Sequence, residues 1–395
     1  MKVLVVSHLY PSPGVERHLF VHEQIVALRD LGAEVRVVSP TPYAPRFLWR
    51  DSRQRRRGEK PRRAVRDGVV CENPRVLQPP RRILFDRLGD IAYRSVRRLP
   101  SLKSEAYDLV HAHQALPDGA LAQRLAADLG VPYVVTVHGA DVYQHFRSGG
   151  AVARRAKSVL GAADAVMANS SAVAGLLGGV VPPERLTVVL NGTTGLGRAV
   201  DPADDYLPGQ ALVLTVGYLI ERKGIGDLID AVGRMRRAGR RVHLAIVGDG
   251  PLRGALGAQA QAQGVADTVH FLGRVPHARV LALMARCDVF ALPSWDEAFG
   301  LVYTEAMAQG TPVIAGKGEG PEDFVTDGVS GYLVPVRDSE ALAGHIARVL
   351  DDPVGAKAVG AAGEAAALAL GWDRNARLTH EVYERAMARG AAKGP

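Results

Sequence analysis

The sequence contains little cysteine and no long apolar run. Among its 395 residues only Cys71 and Cys287 are cysteines, which excludes a disulfide framework and offers no spacing for a metal site. No apolar stretch approaches the ~18 residues that a membrane-spanning helix needs. The apolar start, Met1–Ser7, is too short for the core of a secretion signal. We therefore expect a cytoplasmic protein with reduced thiols.

Motifs for common cofactors are missing as well. The loop after the first apolar run, residues 7–14, has two prolines and a single glycine, Gly14, so it lacks the Gly-x-Gly-x-x-Gly pattern of nicotinamide-binding domains. There is no Asp-x-Asp pair, and the histidines near the N-terminus and at His111 and His113 form no metal-ligand set. The sequence therefore predicts neither a metal nor an organic cofactor.

Charge is distributed unevenly along the chain. The net charge is +8, and the segment from Arg46 to Arg66 holds ten basic and two acidic residues, a local excess of 10 − 2 = +8. One interpretation is a solvated, arginine-rich loop. Another is a surface for an anionic acceptor or for anionic lipid headgroups, at ~1 kcal/mol per basic residue, which would place the protein peripherally at the inner membrane face. Without a recognition motif or an aromatic platform, nucleic acid is not expected as a partner.

Apolar runs of strand length alternate with helical segments along the chain. Val3–Ser7 and Tyr133–Val137 are typical of buried strands, and the pattern restarts at Ala211–Val216 after a proline-rich break at Asp201–Pro208. This alternation predicts an α/β fold with two Rossmann-like, doubly wound domains that face each other across a cleft. The expected domains are 1–200, 201–371 and a C-terminal helical segment, 372–395, that returns to the first domain.

Two glutamates, Glu297 and Glu305, bracket the most informative run of the sequence. The run follows a strand-like segment, Cys287–Ser294, and opens a helical one, Leu301–Gln309. Backbone N–H groups at a helix start attract an anion such as a diphosphate. A carboxylate on either side can accept hydrogen bonds from sugar hydroxyls. These residues predict a nucleotide-sugar site, while the competing interpretation is a solvated or capping acidic pair.

Two further side chains lie where ligands of such sheets bind. Lys223 belongs to the first strand–helix turn of the second half, where a cation can stabilise the negative charge of a departing diphosphate. An ordinary surface lysine is the alternative. His138 directly follows a strand, at its carboxyl end, where a neutral imidazole can donate and accept hydrogen bonds. A purely structural histidine is the alternative there.

Eight short segments, taken in their order along the chain, match one family. They are Val135–Asp141, Leu190–Gly192, Val216–Gly224, Val247–Leu252, Phe271–Val275, Glu297–Glu305, Gly310–Ala315 and Asp327–Val334. Each is weak by itself, but the ordered set is specific. The sequence thereby resembles the GT-B glycosyltransferases of family 4, over about residues 1–385. Members of that family retain the anomeric configuration of the sugar that they transfer.

The resemblance implies roles for the residues at the matching positions. Catalytic roles fall to His138, Lys223 and Glu297; donor contacts fall to Arg222, Lys223, Gly248, Arg274, Val275, Glu297, Phe299, Gly300, Leu301 and Glu305; and Gly14 and Asp141 belong to the acceptor or phosphate loops. Glu297 would bind the donor sugar and Glu305 the ribose. One position departs from the family, because Tyr218 stands where many members carry a second cation. Arg222 is the candidate replacement.

We therefore expect a metal-independent hexosyltransferase. It would move a sugar, with retention, from a nucleotide-diphosphate sugar, with UDP- and GDP-sugars as the first candidates. The acceptor would be a hydroxyl of a glycan, a lipid-linked carrier or a small molecule, in the biosynthesis of a polysaccharide, a glycoconjugate or a glycosylated natural product. Two alternatives stay open: a nucleotide-sugar 2-epimerase on the same fold, and a non-catalytic adaptor that binds membranes or nucleic acid through the arginine-rich segment.

Overall fold

The computed structural model describes residues 1–11, 19–43, 60–77, 83–139, 141–193 and 211–392. The chain divides into two compact units, the first formed by Met1–Gly192 with Trp372–Pro395 and the second by Thr193–Gly371. The predicted boundary between residues 200 and 201 falls outside the described ranges. None of the helices in these ranges combines the length and the apolar composition that crossing a bilayer requires.

The first unit is built on an eight-stranded sheet, with a small two-stranded sheet beside it. Its strands are β1 Lys2–Val6, β2 Glu34–Val38, β3 Thr41–Tyr43, β4 Arg63–Arg66, β5 Val69–Glu72, β6 Arg75–Leu77, β7 Leu109–His113, β8 Tyr133–Val137, β9 Ala165–Ala168 and β10 Leu186–Val188. The large sheet has the order β10-β9-β8-β7-β1-β2-β5-β4. Its neighbours are parallel except β4 and β5. Every residue of β8 is buried, which is typical of a parallel sheet covered on both faces.

Helices of the first unit connect these parallel strands. They are α1 Leu19–Asp30, α2 Leu88–Val96, α3 Ser101–Ser104, α4 Ala120–Leu129, α5 Gly150–Ala162 and α6 Ser171–Leu176. Helix α4 ends at Gly130, whose positive φ of 69° forms the left-handed cap that commonly ends a helix. The chain then enters β8 directly, so the carboxyl end of β8 and the residues after it are held by a buried strand.

The second unit contains a six-stranded, fully parallel sheet. Its strands are β11 Leu212–Val216, β12 His243–Val247, β13 Val269–Gly273, β14 Val289–Leu292, β15 Val313–Gly316 and β16 Tyr332–Val334, and its helices are α7 Ile225–Arg237, α8 Arg253–Ala262, α9 His277–Arg286, α10 Leu301–Ala308, α11 Ser339–Asp351 and α12 Pro353–Leu368. The strand order is β13-β12-β11-β14-β15-β16. This is the Rossmann order, and the direction of winding reverses between β11 and β14.

The last helix, α13 Trp372–Ala392, returns to the first unit and packs against α1. The buried Gln24 side chain donates a hydrogen bond to Asn375 Oδ1 at 2.8 Å. Asn375 in turn donates to the backbone carbonyl of Leu190 at 2.7 Å. The start of α13 is therefore hydrogen-bonded both to α1 and to the backbone at Leu190, shortly after β10.

The alternation of strands and helices predicted from the sequence is confirmed, and β8 has its predicted bounds. The arginine-rich segment differs in part from the loop interpretation. Residues 44–59 lie outside the described ranges, but Arg63–Arg66 form β4, an edge strand that pairs antiparallel with β5. The short strands β3 to β6 were not predicted.

Candidate functional site

The topological switch point of the second unit brings two loops together. Strands β11 and β14 are neighbours, and their carboxyl ends lie at the same edge of the sheet. The loop after β11 contains Lys223, and the loop after β14 contains Glu297. Ligands of doubly wound sheets bind at this position. The two residues are 74 positions apart in sequence, and the strand order alone makes them neighbours.

Lys223 and Glu297 form a buried ion pair. The ammonium of Lys223 lies 2.5 Å from Glu297 Oε2, and the two side chains are 14% and 10% exposed. The hydroxyl of Ser294 donates to the same carboxylate oxygen at 3.1 Å. A cation and a carboxylate that were predicted to contact different parts of one ligand are thus bonded to each other.

The protonation state of Glu297 follows from these contacts. Burial by itself raises the pKa of the Glu297 carboxyl. The charge and the hydrogen bond of Lys223 outweigh burial, with further contributions from Arg222 and Ser294, so the pKa lies below its ordinary value. Glu297 is therefore ionised at neutral pH and is an acceptor of hydrogen bonds, as a contact to sugar hydroxyls requires.

Arg222 connects the two loops through hydrogen bonds to backbone groups of the loop after β14. Its guanidinium donates to the carbonyl oxygen of Asp296 at 3.1 Å, and its own carbonyl accepts from the N–H of Trp295 at 2.9 Å. Tyr218, at the position where the family often has a second cation, is 53% exposed. Arg222 is therefore the cation that the structure places beside Lys223 in this loop.

The loop after β14 ends at a helix start that depends on Gly300. This residue has a φ of +79°, and a Cβ atom there would lie 2.5 Å from the ring of Tyr303. Helix α10 begins at the next residue, Leu301, and its first N–H groups have no acceptor within the helix. Phe299 is 2% exposed and packs on Phe324, with ring centroids 4.9 Å apart. The fold itself therefore requires a glycine at position 300.

Glu305 lies on α10 and pairs with α9. Its Oε1 atom is 3.0 Å from Nε2 of His277. The side chain of Glu305 is 12% exposed and that of His277 is 41% exposed. The carboxylate predicted to hold the ribose is therefore oriented by a histidine that sequence analysis did not select.

The other predicted donor contacts occupy the same edge of the sheet. Gly248 follows β12 with a φ of +130°, and a Cβ there would lie only 1.9 Å from the carbonyl oxygen of Gly217, so the two loops touch through their backbones. Arg274 and Val275 follow β13, the edge strand. Arg274 is exposed and Val275 is half-buried.

Glu319 belongs to the site but was missed. Its Oε2 atom accepts the backbone N–H of Glu297 at 2.8 Å, and the N–H of Gly320 donates to the carbonyl of Glu297 at 2.9 Å. Burial, opposed by hydrogen bonds from the N–H groups of Glu297 and Asp296, raises the pKa of Glu319. A glutamate between two glycines, three residues after the end of a buried strand, was the available signal in the sequence.

In the first unit, His138 lies at the carboxyl end of β8 as predicted. Its Nε2 atom is 3.0 Å from Nδ1 of His113, at the end of the neighbouring strand β7. The ring of Phe20 is 4.8 Å from its ring, between centroids. His113 was considered in the sequence only as a metal ligand, and its role as a partner of His138 was missed.

Asp141 is fully buried and holds the backbone around it. Its carboxylate accepts the N–H of Ala115 at 2.6 Å and the N–H of His138 at 3.1 Å. Burial raises its pKa to about 6, against the effect of these N–H groups. Asp141 was expected in the acceptor or phosphate loop; its observed contacts are those of a residue that positions His138. Gly14 lies outside the described residues.

A second buried carboxylate, that of Asp118, binds the residues that follow β1. Asp118 accepts hydrogen bonds from the backbone N–H of His8 and, at 2.9 Å, from its Nδ1 atom.

Within the described ranges, no group of three or more His, Cys, Asp or Glu side chains is arranged to hold a metal ion.

Comparisons with known proteins match both units. Residues 14–192 match the family described as Glycosyl transferase 4-like domain, and residues 205–366 match the family described as Glycosyl transferases group 1. The chain is 32% identical to the glycogen synthase of Mycobacterium tuberculosis, and the alignment covers 97% of this chain and 94% of that protein.

Two solved structures are similar over nearly the whole chain. Sucrose-phosphate synthase from Thermosynechococcus elongatus gives a TM-score of 0.80 at 23% identity, with 98% of this chain and 100% of that chain covered. The Anabaena protein HepE in complex with UDP-glucose gives a TM-score of 0.72 at 23% identity, with 96% and 98% covered. At such identities the likeness concerns the fold, and it confirms the predicted GT-B class.

Proposed function

The chain belongs to the GT-B glycosyltransferases, and from this premise we propose that it takes a nucleoside-diphosphate sugar as donor and transfers the sugar with retention, without a metal ion. The Anabaena structure that contains UDP-glucose supports a nucleotide-sugar donor. Retention rests on the resemblance to family 4. The comparisons lend no support to the epimerase or to the adaptor.

The contact between Lys223 and Glu297 carries this proposal. It places a cation and an ionised carboxylate at the switch point, beside the N-terminus of α10. As the bond from the anomeric carbon to the phosphate oxygen breaks, negative charge grows on the diphosphate, and fixed positive charge there lowers the barrier. Lys223, Arg222 and the first N–H groups of α10 would supply that charge in place of a metal.

Glu297 would exchange partners when the donor binds. In the structure its carboxylate holds the ammonium of Lys223. A bound diphosphate offers the ammonium a second anion, and the donor-sugar hydroxyls offer the carboxylate new donors. Glu305, held by His277, would accept the ribose hydroxyls. In the transfer itself, the acceptor oxygen forms a bond to the anomeric carbon while the bond to the diphosphate breaks, and the hydroxyl proton passes to a phosphate oxygen.

The acceptor is assigned only as a hydroxyl of a glycan, a lipid-linked carrier or a small molecule. The basic excess between residues 46 and 66 would favour an anionic acceptor or membrane surface. Sedimentation with vesicles that contain phosphatidylserine tests the membrane part. A chain without residues 46–59 keeps β4 and should lose binding to these vesicles, whereas unchanged binding would contradict a role for the segment.

Thermal shift with a panel of nucleoside diphosphates and nucleotide sugars tests the donor assignment first. A ligand that binds only the folded protein raises the melting temperature, and no shift with any member of the panel would contradict the proposal. With the donor identified, NMR of the product reads the anomeric configuration. Activity that persists in EDTA supports metal independence. Conversion of the nucleotide sugar without any acceptor would point to the epimerase.

A further inference from the structure

The loop after β15 lies against the loop after β14 in the second unit. The two strands are parallel neighbours, so both loops leave the same edge of the sheet. A Cβ atom added at Gly316 would lie 2.4 Å from the carbonyl oxygen of Ser294, and one added at Gly320 would lie 2.1 Å from that of Ala298. No side chain fits at either position, so the backbones of residues 316–320 and 294–298 touch at both ends of this contact.

Glu319 binds two successive N–H groups between these ends. Its Oε2 atom accepts the N–H of Glu297 at 2.8 Å, and its carboxylate also accepts that of Asp296. Asp296 has a φ of +53°, which is uncommon for a residue other than glycine. Successive N–H groups in such a turn form a concave site for an anion. The carboxylate of Glu319 fills this site, so these two N–H groups are not available to a diphosphate.

Glu319 and Gly320 together hold Glu297 on both sides of its Cα atom. The N–H of Glu297 is bound by Glu319, and its carbonyl oxygen accepts the N–H of Gly320 at 2.9 Å. Because both flanking peptide groups are fixed, the direction of the bond from Cα to Cβ is fixed as well. That direction decides which space the carboxylate of Glu297 can reach.

We propose that Glu319 is a positioning residue whose hydrogen bonds to the backbone keep the Glu297 carboxylate at the switch point between β11 and β14. This inference rests on the proposed function, in which Glu297 binds the donor sugar. In the structure, Lys223 and Ser294 also hold the carboxylate of Glu297. Once a diphosphate attracts the ammonium of Lys223, that support weakens, and the backbone contacts of Glu319 remain.

Two variants of Glu319 separate the reach of its side chain from its charge. Glu319→Gln keeps the length and one oxygen that can accept an N–H, so kcat/KM for the nucleotide sugar should stay within about fivefold. Glu319→Asp keeps the charge but withdraws the carboxylate by one methylene, so kcat/KM should fall about ten- to hundredfold. Glu340→Asp is the matched control on α11, where the glutamate side chain is 84% exposed, and it should leave kcat/KM unchanged.

Binding of the nucleoside diphosphate separates positioning from general damage to the site. In the proposed function the diphosphate is held by Lys223 and the start of α10, and Glu297 contacts only the sugar. The Kd of the nucleoside diphosphate, measured by isothermal titration calorimetry, should therefore stay within about threefold in Glu319→Asp. Equal losses in this affinity and in kcat/KM would overturn the proposal, as would a larger loss of kcat/KM in Glu319→Gln than in Glu319→Asp.

Amide hydrogen exchange at Glu297 tests the contact without any turnover. The dipeptide Asp-Glu occurs once in the sequence, at residues 296–297, so NMR of the full chain labelled with [1-¹³C]aspartate and ¹⁵N-glutamate selects this one amide. We expect slow exchange in the wild type and in Glu319→Gln, and exchange at least about tenfold faster in Glu319→Asp.

Rapid exchange of this amide in the wild type, or an unchanged rate in Glu319→Asp, would overturn the proposal. A wild type that turned over no nucleotide sugar would contradict the proposed function, and the exchange rates would still decide whether Glu319 holds Glu297.

Discussion

Replacing Glu297 by glutamine should destabilise the second unit while it abolishes most of the activity. The substitution keeps the size of the side chain but removes the charge that faces Lys223. The ammonium is 14% exposed and 2.5 Å from the lost charge. Removing one partner of a buried pair leaves an uncompensated charge and costs roughly 3–5 kcal/mol. Because both side chains keep some exposure, we expect the lower value, about 3 kcal/mol.

The corresponding change in melting temperature follows from the size of the unit. Thr193–Gly371 contains 371 − 193 + 1 = 179 residues. For domains of this size 1 kcal/mol corresponds to roughly 2–4 °C, so Glu297→Gln should lower the melting temperature by roughly 6–12 °C. Differential scanning calorimetry of the unliganded protein measures it. A fall of less than about 2 °C would refute the buried pair as we describe it.

Two control experiments test whether the loss of stability comes from the ion pair between Lys223 and Glu297. Adding Lys223→Met to Glu297→Gln removes the stranded ammonium and should recover much of the lost stability, as a double-mutant cycle reports. Asp351→Asn breaks an exposed pair with Arg240, whose side chains are 55% and 42% exposed, and should change the melting temperature little. Equal losses for the buried and exposed pairs would contradict the argument from burial.

Three further predictions concern the ribose site, the buried histidines and the loop contact. Glu305→Ala should weaken binding of the nucleoside diphosphate about tenfold without preventing folding, and unchanged affinity in isothermal titration calorimetry would contradict the ribose assignment. Burial lowers the pKa of His111 from 6.5 to about 3, so its neutral form stabilises the fold fully above the unfolded pKa and this contribution is lost as pH falls. Between pH 7.5 and 5.0, the free energy of unfolding measured with urea should fall by ~2 kcal/mol more for the wild type than for His111→Gln. Equal decreases would refute the lowered pKa of His111. Gly248→Ala should cost at least ~2 kcal/mol of stability, whereas Gly257→Ala, in α8 with nothing within 4 Å of the added Cβ, should gain ~0.5–1 kcal/mol; similar effects of the two would contradict the contact with Gly217.

The sequence predicted the elements of the fold better than their contacts. Apolar strands such as β8 stand out because both faces of a parallel sheet are buried. Strands β4 and β6 were missed because they are short and contain arginines, and β5 was missed because its four residues, Val69–Glu72, are too few for a clear apolar run. Of the two interpretations of residues 46–66, the solvated loop is therefore wrong at Arg63–Arg66.

The candidate site was predicted as single residues, and the structure supplies their partners. Lys223 and Glu297 were each selected, but their bond depends on the adjacency of β11 and β14, which motif spacing does not contain. The contact of His113 with His138 could not be predicted from the sequence for the same reason. His113 lies 25 positions from His138, and only the pairing of β7 with β8 places the two rings in contact.

The diphosphate site at Lys223 and the start of α10 can be seen in a structure of the protein with a bound nucleoside diphosphate, chosen as the ligand with the largest thermal shift. We expect phosphate oxygens within hydrogen-bond distance of the Lys223 ammonium and of the N–H groups at Gly300 and Leu301. A diphosphate bound elsewhere, with Lys223 still paired only to Glu297, would contradict this expectation.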